Sequence, residues 1–485
     1  MKIVLIYPVH LFKYNDLLNT NDKKYIIEDP IYFTKYNTHK LKLILHRASM
    51  KKYADDHNLI YIDFNKSDDF YKKNKSDIIC YDPVDRDILH KLKKYSKSNK
   101  FELELYETPG FISSFEDLEV FNDKNKNKKF MHDSMFYRYQ RERLNILMPI
   151  KKLSYDSENR KPFLKDQKEE FFPKNNTSKY IKEATLYIEK HFHDNFGSSE
   201  NFFYPIDHNG ANEWLNDFIK HRFKLFGDFE DAIGKNIKFG FHSVLSPLLN
   251  IGLLTDKEVI DAVLPYEHKI KISSFEAFIR QIIGWKNTMR YFYEFYYEKQ
   301  FESNFFNHKN NLTIHFWNGT TQIPIIDDTI KKLYNIGYLH HIERLMVMGN
   351  FMLLCEIHPD EVFKWFMLTV DAYQWVMVPN IYGMSQYADG GLMMTRPYYS
   401  SSNYILKMSD YKEKDKHVTL GNEEYKWTEI WDALYYRFIN KNKDVLKKIY
   451  ATARNVAQWN KKSSDEQNKL LSIATKYLHF LHDKK

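Results

Sequence analysis

Cysteine is nearly missing from this chain: its 485 residues include only Cys80 and Cys355. Two thiols far apart in sequence argue against a disulfide framework and against a local zinc cluster. No apolar run approaches the ~20 residues that a membrane span needs. The opening MKIVLIYPVH lacks a signal-peptide cleavage pattern. The expectation is a soluble, intracellular protein. There is no GxGxxG and no GxxxxGK[ST], which speaks against an ordinary dinucleotide or P-loop site. No internal repeat period is evident.

Aromatic residues are abundant, at 16% of the chain, within an ordinary 43% hydrophobic content. Most of the excess is Tyr and Phe alongside much Lys, Asn and Ile, for which an AT-rich coding bias is the simplest account. A net charge of +8 favours a polyanionic partner. The length calls for two domains or more.

The first third alternates strands and helices. Lys2–Pro8, Lys24–Asp29, Leu59–Phe64, Asp77–Tyr81 and Phe101–Tyr106 are short β-rich runs, with helical stretches at Lys40–Asn58 and Asp85–Ser98 between them. This predicts an α/β domain over 1–130 with a doubly wound, mostly parallel sheet. Ligands of such sheets sit beyond the carboxyl ends of the strands, here Tyr7-Pro8, Glu28-Asp29 and Glu107-Thr108. The residues leave open whether the edge is structural or lines a chromophore or nucleotide pocket. Asn122–Lys129 is a charge run, read as a solvated loop, and the mixed stretch over 131–215 reads as an interdomain linker with helices. From there the apolar period is helical almost to the end, predicting an all-α domain over 216–485. Ala211–Phe226 is its first amphipathic helix, and Phe275–Tyr297 is another.

Two stretches of the helical region carry chemistry. In Phe241–Leu254 (FHSVLSPLLNIGLL), Ser243 and Ser246-Pro247 suit a turn into a helix whose first N–H groups either bind phosphate or are simply capped. Gly337–Gly391 is apolar yet holds Arg344, Asn350, Asp371 and Asn380, types rarely buried unless paired or holding a polar guest. It opens on His340 and His341 and contains Trp365, Tyr373 and Trp375. Apolar walls with a few convergent polar groups make a cofactor cavity. Adjacent helical residues point about 100° apart, so the two histidines do not face one target together. A pair of hydrogen-bonded core histidines and a catalytic role are both compatible with the residues alone.

YDSENRKPF, HSVLSPLLNIGLL, FIRQIIGW and the ordered series HHIERLM, GNF, DAYQWV, PN, GMSQYADGG and RPYYSSSNYILKMSDY resemble the cryptochrome/photolyase family. The likeness is to its prokaryotic (6-4) photolyase branch, related to the iron–sulfur bacterial cryptochromes and photolyases. IEDPIYF and HKLKLILHRASM resemble that family's antenna domain. The resemblance implies an FAD-binding helical domain and blue-light-driven electron transfer that reverses a pyrimidine (6-4) pyrimidone lesion flipped out of UV-damaged DNA. It also implies a monomer in the cytoplasm, associated with a bacterial nucleoid or, in a eukaryotic or viral setting, with the nucleus.

Carried over residue by residue, the resemblance places Ser243, Leu245, Ser246 and Leu248 along the FAD phosphates and ribityl chain. It places Gln281, Trp285 and Asn380 around the same cavity, and Arg344 with Asp371 as a buried ion pair beside the flavin. Met377 lies where some relatives carry a carboxylate. His341 is the implied lesion-facing acid, with His340 beside it, because a (6-4) adduct needs a proton and imidazole titrates near neutrality. Trp365, Trp317 and Tyr373 match an electron relay in which relatives often have Tyr where this chain has Phe366. Arg396, Tyr398, Tyr404 and Lys407 form an implied DNA surface. A lumazine antenna, 6,7-dimethyl-8-ribityllumazine, is expected near Tyr7 and Glu28. The branch's four-iron cluster is not expected: its ligand positions fall near Ile325, Lys412, Asp415 and Thr428, none a cysteine. Tyr411, Tyr425, Trp427 and Trp431 are the residues expected to fill that space. The alternatives are a cryptochrome photoreceptor, a cyclobutane-dimer photolyase, and a flavin-free helical DNA-binding protein. The lack of a long tail after the helical region favours repair over signalling.

Overall fold

The computed structural model describes residues 2–126, 133–171 and 173–482; the end of the Asn122–Lys129 run and the expected 130/131 boundary lie outside them. Five short strands, β1 (Lys2–Ile6), β2 (Lys23–Ile27), β3 (Ile60–Ile62), β4 (Asp77–Tyr81) and β5 (Leu103–Tyr106), form one sheet in the order β3-β2-β1-β4-β5. Every pairing is parallel, so each connection crosses over a face of the sheet. That is the doubly wound arrangement expected from the sequence. β1 is central, and from Ile3 to Ile6 it is buried on both faces, hence the unbroken apolar IVLI.

The helix Lys40–His57 joins the sheet to the helical remainder. It is buried on nearly every side, including at Lys42, His46 and Arg47, as expected of a helix enclosed between two bodies. Its polar residues find partners across the junction. Lys42 donates to the Ala372 carbonyl, and a His46 ring nitrogen lies 2.6 Å from the Tyr373 hydroxyl. On the sheet side, Arg47 meets Glu28 at 2.8 Å and Glu183 at 2.6 Å.

The expected linker is divided between the two bodies. Asp133–Leu144 packs on the helical body through Tyr137, whose hydroxyl donates to Glu276 at 2.9 Å. Lys179–His191 is held to the sheet domain by the Arg47–Glu183 pair.

The helical reading of the C-terminal region needs one correction. β6 (His417–Leu420) and β7 (Glu423–Lys426) form an antiparallel hairpin. Gly421 supplies the positive φ (+65°) of its two-residue loop. The hairpin adjoins Lys412, Asp415 and Thr428, where cysteine ligands of a cluster are missing. Trp427 and Trp431 are fully buried there and Tyr411 nearly so. Trp427 Nε1 donates to the Lys412 carbonyl at 2.8 Å, and the Tyr411 hydroxyl to Asp328 at 2.8 Å. Tyr425 instead bonds Glu423 on the exposed hairpin. Among the described residues no helix is long and apolar enough to cross a membrane.

Candidate active site

The longer helices of the second body are interrupted by wide π-type turns at Phe218–Arg222, Arg280–Lys286, Glu343–Gly349 and Pro379–Ser385. The last three surround a cavity of about 490 Å³, within the range of small-molecule and cofactor sites. Such turns recur at functional sites because the added residue widens the helix and redirects side chains. Gln281, Trp285 and Lys286 enter from the first, Arg344 from the second, and Asn380 from the third.

At the enclosed end lies a buried ion pair. Arg344 Nη2 stands 2.8 Å from both Asp371 carboxylate oxygens, and its Nε donates to the Leu339 carbonyl at 2.7 Å. Ser246 Oγ donates to Asp371 at 2.6 Å, and Asn250 donates to the Asp371 carbonyl at 2.8 Å. Burial alone would raise the Asp371 carboxyl; the Arg344 guanidinium and the Ser246 hydroxyl outweigh it and hold the group below its ordinary value. Lys286 lies along the same wall, 2.8 Å from Asp256, with burial pulling its pKa down.

The turn before Ser246 is held with Val244 at φ +57°. Leu245 at the head of the short helix Ser246–Ile251 gives no side-chain cap. Ser243, Leu245 and Ser246 line the cavity. Leu248 is not among the lining residues: one turn of helix carries 245, 246 and 249 to the cavity and turns 248, fully buried, into the core.

The other end is open. His341 has 41% of its side chain exposed and stands 3.6 Å from Asp231. Arg160, 54% exposed, approaches the same carboxylate at 3.5 Å and Asp156 at 3.0 Å. Arg396, Tyr398 and Tyr404 complete this rim, with the Arg396 guanidinium 5.5 Å from the Tyr398 ring. Lys407 lies exposed on Ser402–Met408, outside the cavity lining.

His340 is also outside the lining, because it precedes the helix and turns inward. Its backbone N–H donates to Glu343 at 3.1 Å. Its ring stacks on His242 at 4.5 Å with an 11° interplanar angle, while His341 meets His242 edge-on at 5.4 Å. Burial pushes both His242 and His340 well below the ordinary 6.5, so the stack is neutral.

None of the three relay residues lines the cavity. Trp365 is fully buried, donates Nε1 to the Phe316 carbonyl at 3.0 Å and packs on Phe366. Trp317 adjoins that carbonyl in the chain and packs on Phe196. Tyr373 turns toward the sheet domain, onto His46. Trp375, by contrast, faces the cavity, and Met377 is buried outside its lining.

Tyr7 and Glu28 lie at the sheet edge as expected, but sealed. Tyr7 is fully buried, its hydroxyl 2.8 Å from that of Tyr71. Glu28 accepts from Arg47, the Tyr61 hydroxyl and the Phe64 N–H. A crevice of only about 20 Å³, bordered by His10, Asp82 and Thr108, is present at that edge.

Sequence reasoning missed Glu230, Asp231, His242 and Arg160. His242 and Arg160 stand inside FHSVLSPLLN and YDSENRKPF, beside residues with stronger signals of their own. Glu230 and Asp231 belong to no motif.

The N-terminal residues 4–204 match a family model described as deoxyribodipyrimidine photo-lyase-related protein. A (6-4) photolyase of Agrobacterium fabrum is 35% identical over 382 residues, 76% of this chain and 74% of that one. A class III photolyase of Agrobacterium tumefaciens superposes with a TM-score of 0.56 at 15% identity, covering 98% of this chain and 97% of the other. A cryptochrome of Synechocystis does so with a TM-score of 0.55 at 15% identity, covering 97% and 93%. Two bodies, one cavity between π-type turns, and identity sustained over three quarters of the chain lead to one assignment: the chain belongs to the cryptochrome/photolyase family.

Proposed function

We propose that the protein is a light-driven DNA repair enzyme that holds FAD at the enclosed end of the cavity and reverses pyrimidine (6-4) pyrimidone adducts at the open end. The supporting observation is the cavity's polarity: a sealed Arg344–Asp371 pair at one end, and at the other His341 on a basic, aromatic rim, in a chain 35% identical to a (6-4) photolyase. The donor set fits a flavin dinucleotide. Arg344, Asn380 and Gln281 offer donors to a heterocycle, Trp285 a flat wall, and the Ser243–Ser246 turn with Lys286 N–H, hydroxyl and ammonium groups to a pyrophosphate. When bound, FAD supplies the light-driven electron that opens the lesion.

The residues do the rest. Asp371 fixes the Arg344 guanidinium in one orientation, and neither charge is tolerable there alone. Tyr398 and Tyr404 give stacking faces to a flipped base, and Arg396 and Lys407 give cations to the phosphates beside it. His341 delivers a proton to the lesion's hydroxyl or ring nitrogen, with the Asp231 carboxylate 3.6 Å from its ring to orient it. His340 and His242 form a neutral wall that holds the His341 ring in place. Trp365 and Trp317 form the photoreduction relay, and Tyr373 has in His46 an acceptor for its phenolic proton.

The test is light-driven repair of duplexes carrying either a (6-4) adduct or a cyclobutane dimer by the flavin-loaded protein. Repair of the first supports the reading, repair of the dimer alone moves the enzyme to the cyclobutane class, and neither leaves a photoreceptor. A lumazine antenna is a separate proposal resting on the resemblance, and the packing of Tyr7 and Glu28 weighs against those residues as its contacts. Chromophore extraction that yields FAD alone would sink it.

A further inference from the structure

Glu230 is a buried acid at the cavity wall, with one carboxyl oxygen that finds no hydrogen-bond partner among the described residues. It is 4% exposed and borders the cavity. Its Oε2 is buried and unbonded, and among the described residues no ion pair reaches its carboxyl group. The cations around it are committed elsewhere. Arg280 is held by Asp156 and Glu276, and Arg160 by Asp156 and Asp231. His242 faces the Glu230 backbone carbonyl rather than its side chain, and His341 pairs with Asp231. Tyr404 completes the surroundings from the helix Ser402–Met408. Of these groups Arg160 and His341 meet solvent at the open end of the cavity, and Asp231 joins them.

We propose that Glu230 presents a neutral carboxyl group to the base entering this end, pairing with an edge on which a donor and an acceptor stand side by side. A protonated carboxyl both donates and accepts. It therefore forms two hydrogen bonds with the N3–H and carbonyl edge of a thymine-like ring, or with the N3 and amino edge of a cytosine-like ring. A carboxylate accepts only, and sets its lone pairs against the base's own acceptor. The protonation is consistent with the surroundings: burial, outweighing Arg280 and reinforced by Asp231, raises the group to about 8. Glu230 is thus assigned as a lesion-recognition residue that tolerates either pyrimidine. This rests on the open end being the lesion site.

The experiment is equilibrium binding, in the dark, of the flavin-loaded protein to a duplex with one synthetic (6-4) adduct and to its undamaged counterpart, from pH 6.5 to 9.5. Wild-type preference for the adduct should weaken as pH rises through about 8. Glu230→Gln, whose amide keeps one donor and one acceptor, should hold that preference flat across the range. Glu230→Met should lose about 10- to 100-fold in adduct affinity at pH 7, the scale of a bidentate base contact, with its flavin retained. A pH step that persists in Glu230→Gln, or wild-type affinity in Glu230→Met, overturns the assignment. If Glu230→Met fails to fold, the flat profile of Glu230→Gln still decides it. Should the wild type show no preference for the adduct at any pH, the lesion-site reading falls first and this one with it.

Discussion

Removing the Asp371 carboxylate should separate the stability of this fold from its cofactor binding. Asp371 is 5% exposed and is contacted by Arg344 twice at 2.8 Å and by Ser246 at 2.6 Å. Asp371→Ala leaves a buried guanidinium without its anion, a loss of ~3–5 kcal/mol for a broken buried pair. With an unfolding entropy of ~2.1 cal/mol/K per residue, a chain of this length loses ~3–5 °C of Tm if it unfolds as one unit. Because the folded-state pKa of Asp371 is depressed, its contribution is complete above the ordinary 3.8 and disappears as pH falls through the lowered value. The difference between wild type and variant should therefore be full at neutral pH and shrink only in acid. Thermal melts and flavin absorbance after desalting provide the assay, with the double variant Arg344→Met/Asp371→Leu as the decisive comparison. Replacing both charges by apolar groups should restore most of the Tm but not the flavin. A double variant that retains FAD like wild type would refute the pair's role in cofactor binding, and an Asp371→Ala protein with unchanged Tm would refute the energetics.

His341→Ala should lower (6-4) repair by ~10²–10⁴-fold while the flavin stays bound and photoreducible; retained repair or simultaneous flavin loss would return the residue to a structural role. Trp365→Phe should slow photoreduction of bound oxidised FAD in transient absorption with little change in adduct binding, and unaltered photoreduction would remove Trp365 from the relay. Elemental analysis should find no stoichiometric iron, because the two thiols lie in different bodies, at β4 and beyond Asn350–Leu354; about four irons per chain, the content of a [4Fe–4S] cluster, would overturn that.

The sheet was legible because a parallel strand buried on both faces needs a continuous apolar run, and IVLI and IICY are such runs. The enclosed end of the cavity was legible too: Arg344 and Asp371, set among apolar neighbours, each require a partner, and they turn out to be each other's. The sealing of Tyr7 and Glu28 was not, since Tyr71, Tyr61 and Arg47 close that edge from elements with no sequence mark of adjacency. The hairpin β6–β7 escaped because two four-residue strands barely establish a period of two. Glu230 and Asp231 escaped for a different reason. Their significance lies in what faces them, and ordinary acids near the end of an amphipathic helix give no local signal.

The π-type turns account for how a helical body keeps such a cavity open. A wide turn frees backbone carbonyls from the regular ladder, and a freed carbonyl in an apolar interior is costly unless something donates to it. Side-chain amides supply that donor here. Gln140 bonds the Ile283 carbonyl at 3.1 Å and Asn287 that of Ile282 at 3.0 Å, both around the Arg280–Lys286 turn. At Glu343–Gly349, Asn350 bonds the Met346 carbonyl at 3.3 Å and Gln386 that of Gly349 at 3.0 Å. Gln140 belongs to the segment that sequence alone assigns to a linker, yet it braces the turn that carries Gln281, Trp285 and Lys286 into the cavity. The buried amides and the cavity are thus one construction: the turns aim the functional side chains, and the amides make the turns affordable in a core that would otherwise close into regular helix.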